Sequence, residues 1–397
     1  MNRPPDARVS ERVRRVADTM TTLLRHLEQW DAARGTPGVS DLMLGNPQEL
    51  PLPGLVSALQ RHAVPRDKDW FAYKRSEAAP RATVAEALRA WRGIPFTAQD
   101  VFLTTGAFGA LAVLFQALLD PGDEVVYSLP PWFLYEPMLI AAGAVPVKVR
   151  VREADDDLDL EALASAIGPT TAAVIVNTPS NPTGRIYPAA TLAALTALLT
   201  DASNRYGRPI WLIADESYSR LVYRDAQFHS PTEFYPYSVL VYTYGKVLLA
   251  PGQRIGWIAL PPTLPGAAAV REAIDAAQVA AGWLYPNALL QHALADLESL
   301  SIDLADLQRK RDLMVRELRS AGYRLRSPEG TFYLWVRSPD PDDEAFCRRL
   351  ADHRVLVMPG TVFEVPGRFR VSLTGSWDML DRALPGFRAA IGPADHS

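Results

Sequence analysis

Ser238-Val-Leu-Val-Tyr-Thr243-Tyr-Gly-Lys246 carries an apolar run into a hydroxyl, a glycine and a lone lysine, with Gly252 and Arg254 six and eight residues beyond that lysine. Lysine is scarce in this chain (Lys68, Lys74, Lys148, Lys246 and Lys310), whereas arginine is plentiful. Arginine stays protonated at neutral pH and cannot serve as an amine nucleophile. A partly desolvated lysine can, and it needs a nearby anchor for an anionic partner. Thr243 offers a hydroxyl and Arg254 a guanidinium, a pair suited to phosphate, and Gly252 permits close backbone approach. Taken alone, the stretch also fits a surface lysine after a buried strand.

Outward from this run the chain alternates strand-like and helical segments. Strands are expected at Val101 to Thr105, Glu124 to Tyr127, Val145 to Val151, Ala172 to Asn177, Trp211 to Asp215, Ser238 to Thr243 and Arg254 to Leu260. Helical patterns occupy residues 9 to 34, Ala107 to Leu119, Glu161 to Ala166 and Ala189 to Asn204. Such alternation predicts an α/β fold: a mostly parallel sheet flanked by helices, with its active groups beyond the carboxyl ends of the strands. After Pro286 two helical tracts, Asn287 to Ser299 and Asp303 to Ala321, lead into strands at Phe332 to Val336, Val355 to Met358 and Phe369 to Leu373. A last helix covers Asp378 to Ile391. This reads as a smaller α+β domain. The expected division is an N-terminal segment, 1–50, packing with the small domain, a large domain, 51–298, and a C-terminal small domain, 299–397.

At 397 residues, 48% hydrophobic and with a net charge of −4, the chain can bury a large core and shows no basic excess that would suit nucleic acid. Cys347 is its single cysteine, which excludes an internal disulfide and a multi-thiolate metal site. It is expected as a small buried hydrophobe on a helix. None of His26, His62, His229, His292, His353 and His396 has metal-ligand spacing to another, and no metal is expected. Apolar runs such as Ala107 to Leu119 are too short for a bilayer, and the polar, Arg-rich start has no signal-peptide core. A cytoplasmic enzyme is the expectation.

Three further motifs fall at strand ends. Asp215, in Ala214-Asp-Glu-Ser-Tyr218, closes an apolar strand and can pair with a protonated ring nitrogen, with Tyr218 three residues on. Asn177-Thr-Pro-Ser-Asn181-Pro-Thr-Gly184 spells a tight turn in which Asn181 offers both a donor and an acceptor. Thr104-Thr-Gly106-Ala107-Phe108-Gly109 passes from strand to helix, a geometry that presents free backbone N–H groups to a phosphate.

Together these motifs resemble the class I/II aminotransferase family of fold-type I pyridoxal 5′-phosphate (PLP) enzymes, from Gly45-Asn-Pro47 to Arg370-Val-Ser372. The resemblance implies that Lys246 is the Schiff-base lysine and carries the proton between substrate Cα and cofactor. It implies that Asp215 pairs the pyridine nitrogen and that Tyr218 and Asn181 hold the ring hydroxyl. Trp132 would stack on the ring, while Gly106, Ala107, Phe108, Thr243 and Arg254 would bind the phosphate. Tyr73 would reach the phosphate of a neighbouring subunit, implying a homodimer. Arg370, together with Gly45, Asn181 and Trp132, would receive the amino acid and 2-oxo acid substrates, with Arg370 forked onto the α-carboxylate.

The chain departs from the family pattern in three places. Gly245 stands where many members have a hydroxyl residue, and Ala107 and Phe108 supply no side-chain hydroxyl to a phosphate. The stretch Ala281-Gly-Trp-Leu-Tyr-Pro-Asn287 lacks the basic residue that dicarboxylate-preferring members often carry. Trp283 and Tyr285 would line an apolar pocket or pack at a dimer contact, and the reading leans away from aspartate as the main substrate. Transamination is the expected reaction, and the alternative is a lyase, oxidase or cyclase on the same scaffold. A PLP-binding sensor fused to a DNA-binding domain is disfavoured, because only one plausible helix precedes Gly45.

Overall fold

The computed structural model of the protein describes residues 9–391. At its centre lies a seven-stranded sheet of β1 (Val101–Thr104), β2 (Glu124–Leu129), β3 (Val145–Arg150), β4 (Thr171–Asn177), β5 (Trp211–Asp215), β6 (Ser238–Thr243) and β7 (Gly256–Ala259). Their order is β1-β7-β6-β5-β4-β2-β3. β7 pairs antiparallel with both neighbours, while β6, β5, β4, β2 and β3 pair in parallel. The α/β architecture with a mostly parallel sheet is thus as read from the sequence. Several strand boundaries differ by one or two residues, and Arg254 precedes β7, which begins at Gly256, the residue paired with both Thr104 and Thr243.

Helices cover both faces of the sheet, so its central strands are apolar on both sides. Along β4, Ala173 and Ile175 enter one core layer, while Val174 and Val176 enter the opposite one, the period-two alternation of a strand. The first five α-helices are α1 (Glu11–Trp30), α2 (Pro53–Ala63), α3 (Ala78–Arg92), α4 (Gly106–Leu118) and α5 (Tyr135–Ala142). α4 is apolar around most of its circumference and is accordingly buried between sheet and neighbouring helices. Sequence patterning does not mark α2, α3, α5 or the helix Ala267–Ala280. Prolines sit in the first turns of α2 and α3, α5 is short with little contrast between its faces, and the last is alanine-rich.

Beyond these, a four-stranded antiparallel sheet places β8 (Tyr333–Arg337) beside β9 (Arg368–Ser372), edged by Arg324–Leu325 and Met358–Pro359. The stretch Val355 to Met358, expected as one strand, is two. Val355–Leu356 pairs in parallel with Ser40–Asp41, and Met358 pairs with Arg370 in the four-stranded sheet. Between them the carbonyl of Val357 turns to the His26 ring of α1, so the chain changes sheets within three residues. Cys347 is buried on the helix Asp343–Asp352, and burial holds its thiol well above the ordinary range. Among the described residues no helix is long and apolar enough to cross a membrane.

Candidate active site

The carboxyl ends of β1, β2, β4, β5 and β6 open on one cleft of about 560 Å³, counting its mouth. Ala107, Phe108, Trp132, Asn181, Asp215, Tyr218, Thr243, Lys246 and Arg254 all line it. Residues scattered over some 150 positions converge because parallel strands end on the same edge and the loops that follow them carry the polar groups.

Asp215, the last residue of β5, is almost fully buried. Tyr135 Oη donates to its Oδ2 at 2.5 Å, and Ser217 Oγ donates to its Oδ1 at 2.6 Å. Both carboxylate oxygens are therefore held in a fixed plane. Nothing in the sequence motifs singles out Tyr135. The available signal is its place three residues after Trp132, whose ring it meets edge-on at 5.3 Å. Asn177 Nδ2 donates to the Asp215 carbonyl, and Asn177 Oδ1 accepts from the Asn181 N–H. The turn after β4 is thereby tied to the end of β5, and Asn181 is fixed.

Lys246 occupies the short helix Tyr244–Val247 that follows β6, and the Thr243 hydroxyl caps that helix by accepting from the Gly245 N–H. Its Nζ lies 5.5 Å from the Tyr218 ring centre and 6.0 Å from that of Phe332. It makes no ion pair or hydrogen bond among the described residues, which leaves the amine available at the cleft wall.

Arg254 faces the start of α4. A β-carbon at Gly106 would lie 2.7 Å from Arg254 Nη2 and 3.3 Å from Thr243 Oγ1, and Gly106 has φ of +80°. Gly106 thus combines a left-handed backbone with a hollow that only glycine leaves open. Arg254 has no carboxylate partner among the described residues, and burial lowers its pKa from the usual arginine value.

Arg370, on β9, is fully buried. Its Nη1 donates to Asn181 Oδ1 and its Nη2 to the Met43 carbonyl, both at 2.8 Å, while Nε has no partner. Tyr333, directly beside it, stacks under the guanidinium at 4.0 Å. Burial alone would raise Tyr333, but the Arg370 and Lys246 cations bring it below the ordinary tyrosine value, whereas burial and the adjacent Tyr333 push Tyr218 well above it. Tyr333 escapes a reading of the sequence, because nothing in an alternating strand marks which residue faces a cation from another strand. Gly45 belongs here too: a β-carbon on it would collide with the Tyr333 hydroxyl and the Phe332 ring.

Tyr73 is not brought to the cleft of its own chain. It is 87% exposed and packs against Tyr285, ring centres 4.8 Å apart. Trp283 and Tyr285 do not line that cleft either. Of the histidines, His26, His62 and His292 are engaged with Val357, Asp296 and Trp70, and His229 with Glu233. His396 lies outside the described residues.

These donors and charges match a phosphorylated, aromatic aldehyde cofactor: a free amine, an anchored carboxylate, and a guanidinium facing a glycine hollow. The sequence model of the family described as aminotransferase class I and II matches residues 38–387, and the chain belongs to that family of PLP-dependent enzymes. It is 32% identical to an aspartate/prephenate aminotransferase of Thermus thermophilus, over 89% of this chain and 91% of that one. An aspartate aminotransferase of Streptomyces avermitilis is 29% identical over 95% of both. Among solved structures, an amino transferase of Eubacterium rectale superposes with a TM-score of 0.85 at 28% identity, covering 97% of this chain and 96% of the other. The Thermus thermophilus aspartate aminotransferase with maleate gives 0.80 at 27%, covering 97% and 100%.

Proposed function

We propose that this aminotransferase moves an amino group between an amino acid and a 2-oxo acid, with Lys246 as the amine that holds PLP covalently. The observation that carries the reading is the cleft itself, in which a half-buried lysine without an ionic partner faces a doubly anchored Asp215. PLP, when bound, supplies an electron sink for the bonds of the substrate Cα. Asp215, held by Tyr135 and Ser217, would keep the ring nitrogen protonated. Tyr218 and Asn181 would hold the ring oxygen, and Trp132 would cover one face. Thr243, Arg254 and the N–H groups at Gly106, Ala107 and Phe108 would receive the phosphate. Lys246 Nζ, displaced by the substrate amine, would move the proton at Cα. Arg370, a buried cation without a carboxylate among the described residues, would take the α-carboxylate and so orient the Cα–H bond.

Tyr73 and Tyr285 form an exposed aromatic pair, with Phe71 also exposed two residues before Tyr73, which supports a homodimer in which Tyr73 completes the neighbouring site. The same reading keeps the division into 1–50, a large PLP-binding domain 51–298 and a small domain 299–397. The pairing of Ser40–Asp41 with Val355–Leu356 supports the return of the N-terminal segment to the small domain.

Absorbance of the purified protein tests the central claim. A visible band is expected that borohydride removes, and that one amino acid shifts toward the near-ultraviolet until a 2-oxo acid restores it. Release of ammonia in place of that reversal would replace transamination by a lyase or oxidase reaction. Since no basic residue lies in 281–287, a donor with an apolar or aromatic side chain is expected to outperform aspartate in that panel.

Gly106→Ala probes the phosphate cradle. The side chain would add about 1–2 kcal/mol of left-handed strain and displace Arg254 from its hollow. The expected result is at least a roughly tenfold weaker PLP affinity, read by titrating the apo-protein with PLP. An unchanged affinity would remove Gly106 and Arg254 from the phosphate site.

A further inference from the structure

A second cleft, of about 1190 Å³ counting its open side, lies between the carboxyl end of β2 and β3 and the β8–β9 pair. Arg150, the last residue of β3, lines it from the seven-stranded sheet, and Arg337 and Arg368 line it from the four-stranded sheet. None of the three forms an ion pair or a side-chain hydrogen bond among the described residues. Arg337 and Arg368 are direct cross-strand partners. Residues so paired project from the same face with β-carbons about 5 Å apart, and like charges placed this way repel. Nothing in the fold requires arginine at both positions, since each ends a strand at the rim and supports no packed core.

Two acids also line the cleft, Glu153 and Asp156. They leave one positive charge in excess, and a fourth arginine, Arg326, reaches the same loop by donating to the Ala154 carbonyl at 2.9 Å. Asp156 is buried with a left-handed φ of 57° and feels the Arg368 and Arg326 cations without forming an ion pair with either among the described residues. Proline residues 130, 339, 341 and 366 stiffen the rim.

We propose that this cleft is a binding site for a small, multiply charged oxyanion, with Arg150 clamping it from one sheet and the Arg337–Arg368 pair from the other. Guanidinium forks match the geometry of phosphoryl and carboxylate oxygens alike, and an anion between the paired arginines converts their repulsion into shared attraction. The site is separate from the cofactor cleft, although β9 links the two: Arg368 and Arg370 lie two positions apart on one strand and project to the same face.

The test uses the holoenzyme at constant ionic strength, with pyrophosphate and citrate as probes of the phosphoryl and polycarboxylate sources and chloride as the reference. Isothermal titration calorimetry is expected to show one saturable site for at least one of the two, with no change in cofactor absorbance. The anion that binds more tightly names the source. Melting temperature should rise by roughly 3–5 °C at about a hundredfold excess over the dissociation constant. Arg368→Gln and Arg150→Gln should each weaken binding about tenfold. Arg337→Gln provides a third variant should either of those fail to fold, and relief of repulsion should leave the unliganded melting temperature of Arg337→Gln or Arg368→Gln unchanged or higher. Absence of saturable binding by both anions, or binding that survives intact in the Arg150→Gln/Arg368→Gln double variant, overturns the proposal.

Discussion

Lys246→Ala is expected to abolish the visible absorbance band and to lower turnover by more than any other single substitution in this protein. Loss of the positioned proton carrier alone removes about 10²- to 10⁴-fold, and loss of the covalent attachment removes the exchange by which the substrate displaces a pre-formed linkage. The folded state should tolerate the change well, because Lys246 Nζ has no ion pair or hydrogen bond among the described residues to lose. PLP should still bind non-covalently through the phosphate groups around Gly106 and Arg254, and a small external amine should recover part of the turnover. A variant that keeps the borohydride-sensitive band would place the linkage on another of the chain's lysines and sink the assignment.

The second large effect concerns Asp215→Asn. The substitution preserves shape and removes one charge, which is the quantity the proposed role depends on. Tyr135 and Ser217 both donate to the carboxylate. The new amide would satisfy only one of them as an acceptor, and the Tyr135 hydroxyl would have to turn round and accept. That rearrangement should cost about 1–3 kcal/mol of stability. The expected fall in kcat is larger, about 10²- to 10³-fold, the scale on which removing one preorganised electrostatic partner acts. The measurement is kcat at saturating substrate and PLP, alongside the melting temperature. A fall of less than about tenfold would leave Asp215 a structural anchor for the β5 turn and require another partner for the ring nitrogen.

Much of the site is legible in the amino-acid sequence, for a physical reason. Lys246, Asp215, Asn181 and the Gly106 turn each sit where an apolar strand gives way to a polar or glycine-bearing loop. Hydrophobic patterning marks such boundaries directly, and the parallel arrangement then brings them to one edge. The short α5, whose faces differ little in polarity, is invisible to the same patterning.

Strand periodicity, turn chemistry and residue type are local properties, and they are enough to specify an α/β fold, its motif-bearing loops and a lysine set apart from its fellows. The partners of those residues depend on register and packing between segments far apart in the chain. Tyr135 reaches Asp215 across 80 positions, Arg370 reaches Asn181 across 189, and Tyr333 slides beneath Arg370 only through the alignment of β8 with β9. The pairing of Arg337 with Arg368 likewise exists only in that register. A one-residue slip of β8 or β9 would turn its side chains to the opposite face, parting Tyr333 from Arg370 and Arg337 from Arg368, and for that reason the tertiary structure alone decides which charges meet.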